Sequence, residues 1–290
     1  MLLSSSVQPT ISSDSSMRSF CFPRCLGLII FLLTCTTVFA QVPAALRIGV
    51  APHSSARVIL EMYQPLRQYL ESSLGMPVDI VTAPDFTEFA RRLLAQDYDI
   101  AITTGHQARL SQTDAGYSAL LTYRADFRTV ALVAGNSTYK TALDLKGKPV
   151  LGLSSTSLVT LWGQHWLKNN GNTEPLRYVS ASDSVARLVL AGDAAAGFIS
   201  LANYQSLARD IQPQLRFLVI SDALAGRVYL LNKRDLPLRD KIDAALWRFA
   251  GTPEGKAYFL KYKLEGYRKL KPRELEAMEP YAQEVRQTLH

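Results

Sequence analysis

Cysteine is the first thing this sequence runs short of. Cys21, Cys25 and Cys35 all fall within the first 40 of 290 residues, so residues 41–290 contain none. That stretch can hold no disulfide framework, no thiol nucleophile and no thiolate metal site, and its fold must rest on its core. Enzymatic signatures are missing as well: there is no G-x-x-x-x-G-K-[ST] phosphate loop, no G-x-S-x-G elbow and no H-E-x-x-H zinc helix. Four scattered histidines without cysteine compose no recognisable metal site, so neither metal nor cofactor is expected. No carboxylate pair stands at a spacing suited to acid–base work. After residue 40 no apolar run reaches membrane length, and no low-complexity tract, heptad array or internal repeat interrupts the chain. What remains is an ordinary globular profile, 48% hydrophobic and 20% charged, which excludes disordered, collagenous and fibrous classes.

The start of the chain reads as a removable leader. Arg18 and Arg24 precede the apolar run LGLIIFLLTCTTVFA at 26–40, which ends in small residues at Val38-Phe39-Ala40. A basic start, a short apolar stretch and that ending predict a signal peptide over residues 1–40, cleaved after Ala40. The Ser-rich residues before Met17 point to Met17 as the true start. Lipidation at Cys35 is the alternative, but Thr34 stands where a lipoprotein box carries Gly, Ala or Ser. The leader takes Arg18, Arg24 and Asp14 with it, leaving 30 basic against 24 acidic side chains, a net +6. That modest excess suits an anionic partner and is too small and too dispersed to indicate nucleic acid. The late basic residues Lys261, Lys263, Arg268, Lys269, Lys271 and Arg273 alternate with acids and aromatics and read as a solvated helical face.

From residue 46 onward, short β-rich runs alternate with helical patterns. LRIGVA (46–51), VDIVTA (78–83) and YDIAITT (98–104) are each followed by helical spacing, as are KPVLGL (148–153), LRYVS (176–180) and AAGFIS (195–200). Asp85 followed by Glu88 predicts a helix start with a capping box. The alternation argues for an α/β fold whose sheets are covered on both faces. Two series, joined by strand-rich segments near 126–135 and 215–232, predict two parallel-rich sheets joined by two crossing strands. The expected lobes are 41–130 and 131–222, with 223–290 returning to the first lobe and adding two C-terminal helices. A single doubly wound sheet is the competing arrangement.

In open α/β sheets ligands sit beyond the carboxyl ends of the strands, so the residues following each strand are the candidates. They are His53 and Ser54; Thr104 and His106; Ser154, Ser155, Thr156 and Ser157; and Ser182 with Asp183. The four consecutive hydroxyls at 154–157 open a helix, whose N-terminus offers free N–H groups and the positive dipole end to an oxyanion. The same residue types are also ordinary helix caps. His53 and His106 are candidate donors, or loop residues satisfied locally. Asp183 is explained equally well as a proton acceptor or as a first-turn helix acid. His165, beside Trp162 and Trp166, reads as packing or surface.

LRIGVAP, then Gln64-Pro65-Leu66 and Tyr69-Leu70, DYDIA, Asp144-Leu145-Lys146-Gly147-Lys148, the Ser155-Thr156-Ser157 helix start and Thr252-Pro253-Glu254-Gly255 together resemble one family. It is that of the phosphate/phosphonate/phosphite-type periplasmic solute-binding proteins of ABC importers. The resemblance spans most of residues 46–265. It implies a two-lobed periplasmic-binding-protein architecture, a periplasmic location, and a small oxyanion wrapped by the Ser-Thr-Ser helix start. It also implies an ABC permease as partner, membrane contact only through that permease, and a monomer without enzymatic activity. A ligand-sensing subunit for a membrane kinase is the alternative; an exported enzyme would need a nucleophile–base pair that is not visible. Departures are specific. The family's Gly-Pro-x-x-Tyr turn is Gly105-His106-Gln107-Ala108 here, its Ser-His pair is replaced by Ala181-Ser182-Asp183, and its acidic position falls on Ala195.

Overall fold

A computed structural model describes residues 45–289; the leader expected at 1–40, Met17 and Cys35 lie outside the described residues. Strand β1 (Leu46–Val50) leads into helix α1 (Ala56–Leu74). Ser55 caps α1 by accepting from the Val58 N–H at 3.4 Å. Gly75 ends it at φ 70°, a left-handed turn that favours glycine. Between these signals Ile59, Met62, Tyr63, Leu66, Leu70 and Leu74 recur every three or four residues and are buried, each contributing roughly 1.5–3 kcal/mol. Then come β2 (Val78–Val81), α2 (Phe86–Leu94), β3 (Ile100–Thr104), α3 (Gly105–Asp114) and β4 (Ser118–Tyr123). Asp85 caps α2, accepting from the Glu88 N–H at 2.8 Å. Glu88 itself takes Arg92 at 2.8 Å rather than reaching back to the cap, so half of the expected box forms.

The second series runs β5 (Thr129–Ala134), β6 (Val150–Gly152), α4 (Leu158–Asn169), β7 (Arg177–Tyr178), α5 (Ser182–Ala191), β8 (Ala196–Ser200), α6 (Leu201–Gln205) and β9 (Leu215–Ile220). The chain then returns through β10 (Arg227–Leu231), α7 (Arg239–Gly251), α8 (Pro253–Lys261), β11 (Tyr267–Arg268) and α9 (Glu279–Leu289). Two sheets result, ordered β11-β4-β10-β3-β1-β2 and β7-β6-β8-β5-β9. Each mixes parallel and antiparallel ladders. β1 runs parallel to β2 and β3, and β6 parallel to β7 and β8. β10 is antiparallel to β3 with Arg227 opposite Thr104, and β5 is antiparallel to β8 and β9.

Residues 124–128 and 221–226 connect the sheets, and they pair through one antiparallel bridge, Phe127 with Leu224, whose N–H donates to the Phe127 carbonyl at 2.8 Å. On the first sheet, α1, α7 and α8 cover one face while α2, α3 and α9 cover the other. On the second, α5 lies over Val130, Leu132 and Ile199, and α4 over Val133 and Phe198.

Two local expectations are corrected. Three helices, not two, follow β10. The basic stretch near the C-terminus is no continuous helical face: β11 and turns break it, with Lys263, Gly266 and Arg273 at φ 53°, 90° and 61°. Three of its cations are ion-paired, Arg268 with Glu274 at 2.7 Å, Lys269 with Asp243 at 2.8 Å and Arg273 with Glu276 at 2.7 Å. Among the described residues no helix is long and apolar enough to cross a membrane.

Candidate functional site

The lobes meet along two different surfaces. The first surrounds the start of α4. Thr156 and Ser157 are 0% and 1% exposed, whereas Ser154 and Ser155 are half-buried. Ser157 occupies the cap position, yet its side chain makes no cap hydrogen bond; it lies 2.7 Å from the Thr160 hydroxyl, which in turn accepts from the Leu153 N–H at 2.9 Å. The first-turn amides of α4 are therefore left without a side-chain cap, although four hydroxyls stand in front of them.

Thr156 is reached from the first lobe twice. Its hydroxyl lies 3.1 Å from that of Thr87 on α2, and its carbonyl accepts from His106 Nε2 on α3 at 2.9 Å. A carbonyl can only accept, so Nε2 carries the proton and Nδ1 accepts from the Thr104 hydroxyl at 3.2 Å. Burial pushes the His106 imidazole down to about 4, against a lesser opposing effect of its hydrogen bond to Thr156, and it is held neutral. Gly105 lets the start of α3 pack against the connecting segment 221–226: a Cβ there would sit 2.3 Å from the Ala225 Cβ. Apolar contacts reinforce the polar ones. Leu158, 1% exposed, joins the core around Phe86, Phe89 and Ala108 of the first lobe. Leu161 packs with Ala282 and Val285 of α9. His165, one turn on, stacks on Tyr281 at 4.9 Å and bonds Glu284.

The second surface lies where α5 and α6 face the start of α1. His53, Ser54, Ser182, Asp183 and Asn203 line a cavity of about 470 Å³. Here α5 has no side-chain cap either, and the Ser182 hydroxyl accepts from Asn203 at 2.6 Å. Asp183 and Ser54 are exposed. His53 donates from Nδ1 to the Ala51 carbonyl at 2.9 Å, which leaves Nε2 to accept from Arg227 at 3.3 Å. Burial and then the Arg227 charge push His53 down to about 3, with the bond to Ala51 opposing.

The structure thus gathers Thr104, His106 and Ser154–Ser157 into one group. It gathers His53, Ser54, Ser182 and Asp183 into another. Sequence reading missed three residues that belong with them. Thr87 had been absorbed into a helix start, and Asn203 carried no signal. Arg227 begins a strand that runs antiparallel, so its first residue, not its last, faces the cleft. Among the described residues no group of three or more His, Cys, Asp or Glu could hold a metal ion.

A family model for the periplasmic substrate-binding protein of phosphonate ABC transporters matches residues 48–275, most of the chain. The protein belongs to this family. Solved structures agree with the architecture. PhnD1 from Prochlorococcus marinus, in complex with methylphosphonate, superposes with a TM-score of 0.74 at 12% identity, over 83% of this chain and 98% of that one. XAC2383 from Xanthomonas citri, bound to ATP, gives 0.70 at 19% identity, over 85% and 99%. The periplasmic aliphatic sulphonate binding protein SsuA from Escherichia coli gives 0.57 at 16% identity, over 85% and 88%. At such identities these likenesses speak for the two-lobed fold alone. No curated protein sequence matches the chain. For a periplasmic phosphonate-type binding protein, the family function is capture of a small solute rather than catalysis, with an ABC permease as the implied partner.

Proposed function

We propose that the protein captures a small oxyanion of the phosphonate, phosphite or phosphate type between its lobes and delivers it to an ABC permease. One observation carries this reading. The uncapped start of α4 is the same place at which Thr87 and His106 of the first lobe reach across to Thr156. An anion bound to the α4 amides and hydroxyls would therefore also be bound to the contacts that draw the lobes together. The grip uses neutral donors, hydroxyls and backbone N–H groups, while the neutral His106 spends its one proton on the Thr156 carbonyl. The two connections at 124–128 and 221–226 supply the hinge about which lobes of this kind open and close. The protein acts as a monomer.

Calorimetric titration of the purified protein with methylphosphonate, phosphite, phosphate and ethanesulfonate tests the reading. Saturable binding of at least one phosphorus oxyanion is expected. Binding of the sulfonate alone, or of none, contradicts it.

A further inference from the structure

We propose that Arg227 forms a second, cationic pole of the binding site and grips a carboxylate on the tail of the ligand. The substrate class would then be short phosphonates that carry a second acidic group. This rests on the oxyanion reading above and deepens it.

Arg227 opens β10 directly opposite Thr104, on the same face of the sheet and beside the crossing segment. Its guanidinium donates to the lone pair of neutral His53 at 3.3 Å and lies 5.6 Å from the centre of the Tyr123 ring. No carboxylate among the described residues pairs with it. Of the two carboxylates that line its cavity, Asp126 is bound to Arg128 at 3.1 Å, and Glu265 is exposed and makes no ion pair with it. The surrounding phenols do not neutralise it, because burial pushes Tyr123 and Tyr258 well above the usual phenol range and keeps them uncharged. The hydroxyl of Tyr63, 0% exposed, has no hydrogen-bond partner of its own.

A partly buried guanidinium without a counter-charge is costly unless an anion completes it. The space for that anion is present. Arg227 lines a cavity of about 690 Å³ on one side of α6, and its partner His53 lines the 470 Å³ cavity on the other. Volumes of this size accommodate whole organic ligands, roughly 300–1,000 Å³, rather than a bare oxyanion. Arg227 pairs with Thr104 across the sheet, Thr104 bonds His106, and His106 bonds Thr156, so a short chain of contacts links this pole to the α4 grip.

The test compares methylphosphonate with phosphonoacetate by calorimetry on the full protein and its Arg227→Gln and Arg227→Lys variants. Phosphonoacetate should bind the unaltered protein roughly tenfold to a hundredfold more tightly than methylphosphonate, as a charge-assisted pair contributes. In Arg227→Gln that preference should vanish, and Arg227→Lys should restore part of it. The ligand-free melting temperature of Arg227→Gln should hold or rise, since an uncompensated charge is removed. Equal binding of both ligands by the unaltered protein overturns the proposal and leaves the oxyanion reading intact. A fall in ligand-free melting temperature with an unchanged ligand preference marks Arg227 as structural and also overturns it. If neither ligand binds the unaltered protein, the phosphonate reading fails and the proposal falls with it.

Discussion

The two interlobe surfaces use the same residue type in opposite ways. At the α4 surface, His106 is neutral and uses its proton on the Thr156 carbonyl across the gap. At the α5–α6 surface, His53 is also neutral but turns its proton inward to Ala51 and its lone pair to Arg227. Around α4 the polar side chains satisfy one another and Leu158 seals the contact. Around α5 and α6 there are cavities and an unneutralised cation. The lesson is that one surface joins the lobes and keeps its uncapped helix amides for an oxyanion, whereas the other has an unneutralised cation and open space to give to the rest of a ligand.

The sharpest way to break this contrast is Leu158→Ala. Leu158 belongs to α4 yet is buried in the core of the opposite lobe, so its truncation should cost roughly 2–5 kcal/mol. Denaturant unfolding measures that loss, and an unaltered midpoint would mean that the α4 surface is not a packed contact. Acid titration comes next. His106 and His53 are pushed down to about 4 and about 3, so below the ordinary value of about 6.5 the unfolded chain binds protons that the folded chain refuses. Stability is then fully present above that value and is lost as pH falls towards 4, by about 1.4 kcal/mol per pH unit for each histidine. Thermal melts across this range should show the slope, and His106→Gln should remove about half of it.

Smaller effects sharpen the comparison further. Replacing Thr156 by Val and Ser157 by Ala together should weaken oxyanion binding by about a hundredfold, as lost hydrogen bonds to a charged group do. The accompanying loss of stability should be only about 1–3 kcal/mol. Calorimetry and unfolding of the same sample separate the two. Glu284→Gln should matter least: the His165–Glu284 pair is 35% exposed on both sides, so less than about 1 kcal/mol is at stake.

Much of the fold was legible because each local signal agreed with the next. Asp85 caps a helix where its position suggested, the six buried residues of α1 follow the helical period, and the hydroxyl cluster stands at the end of β6. Strand direction was not legible. β10 has the same alternation as a parallel strand, and only its pairing with β3 and β4 shows that it enters the sheet the other way round. Reading only the residues after strands therefore passed over Arg227. Side-chain roles were equally hidden. The sequence shows two histidines after strands, but their tautomers depend on Ala51 and Thr156 carbonyls supplied by the fold. The Ser-rich helix start looked equally like a cap or an anion grip, and the contact between Ser157 and Thr160 that leaves the amides uncapped comes from packing.

The central claim is that an oxyanion is held at the start of α4, between the lobes. Nitrogen-15 amide shifts recorded during titration with methylphosphonate test it most directly. The account expects the largest, saturable shifts at Ser155, Thr156, Ser157 and Leu158, with His106 following. Shifts confined to other parts of the chain, or none at saturating ligand, would contradict it.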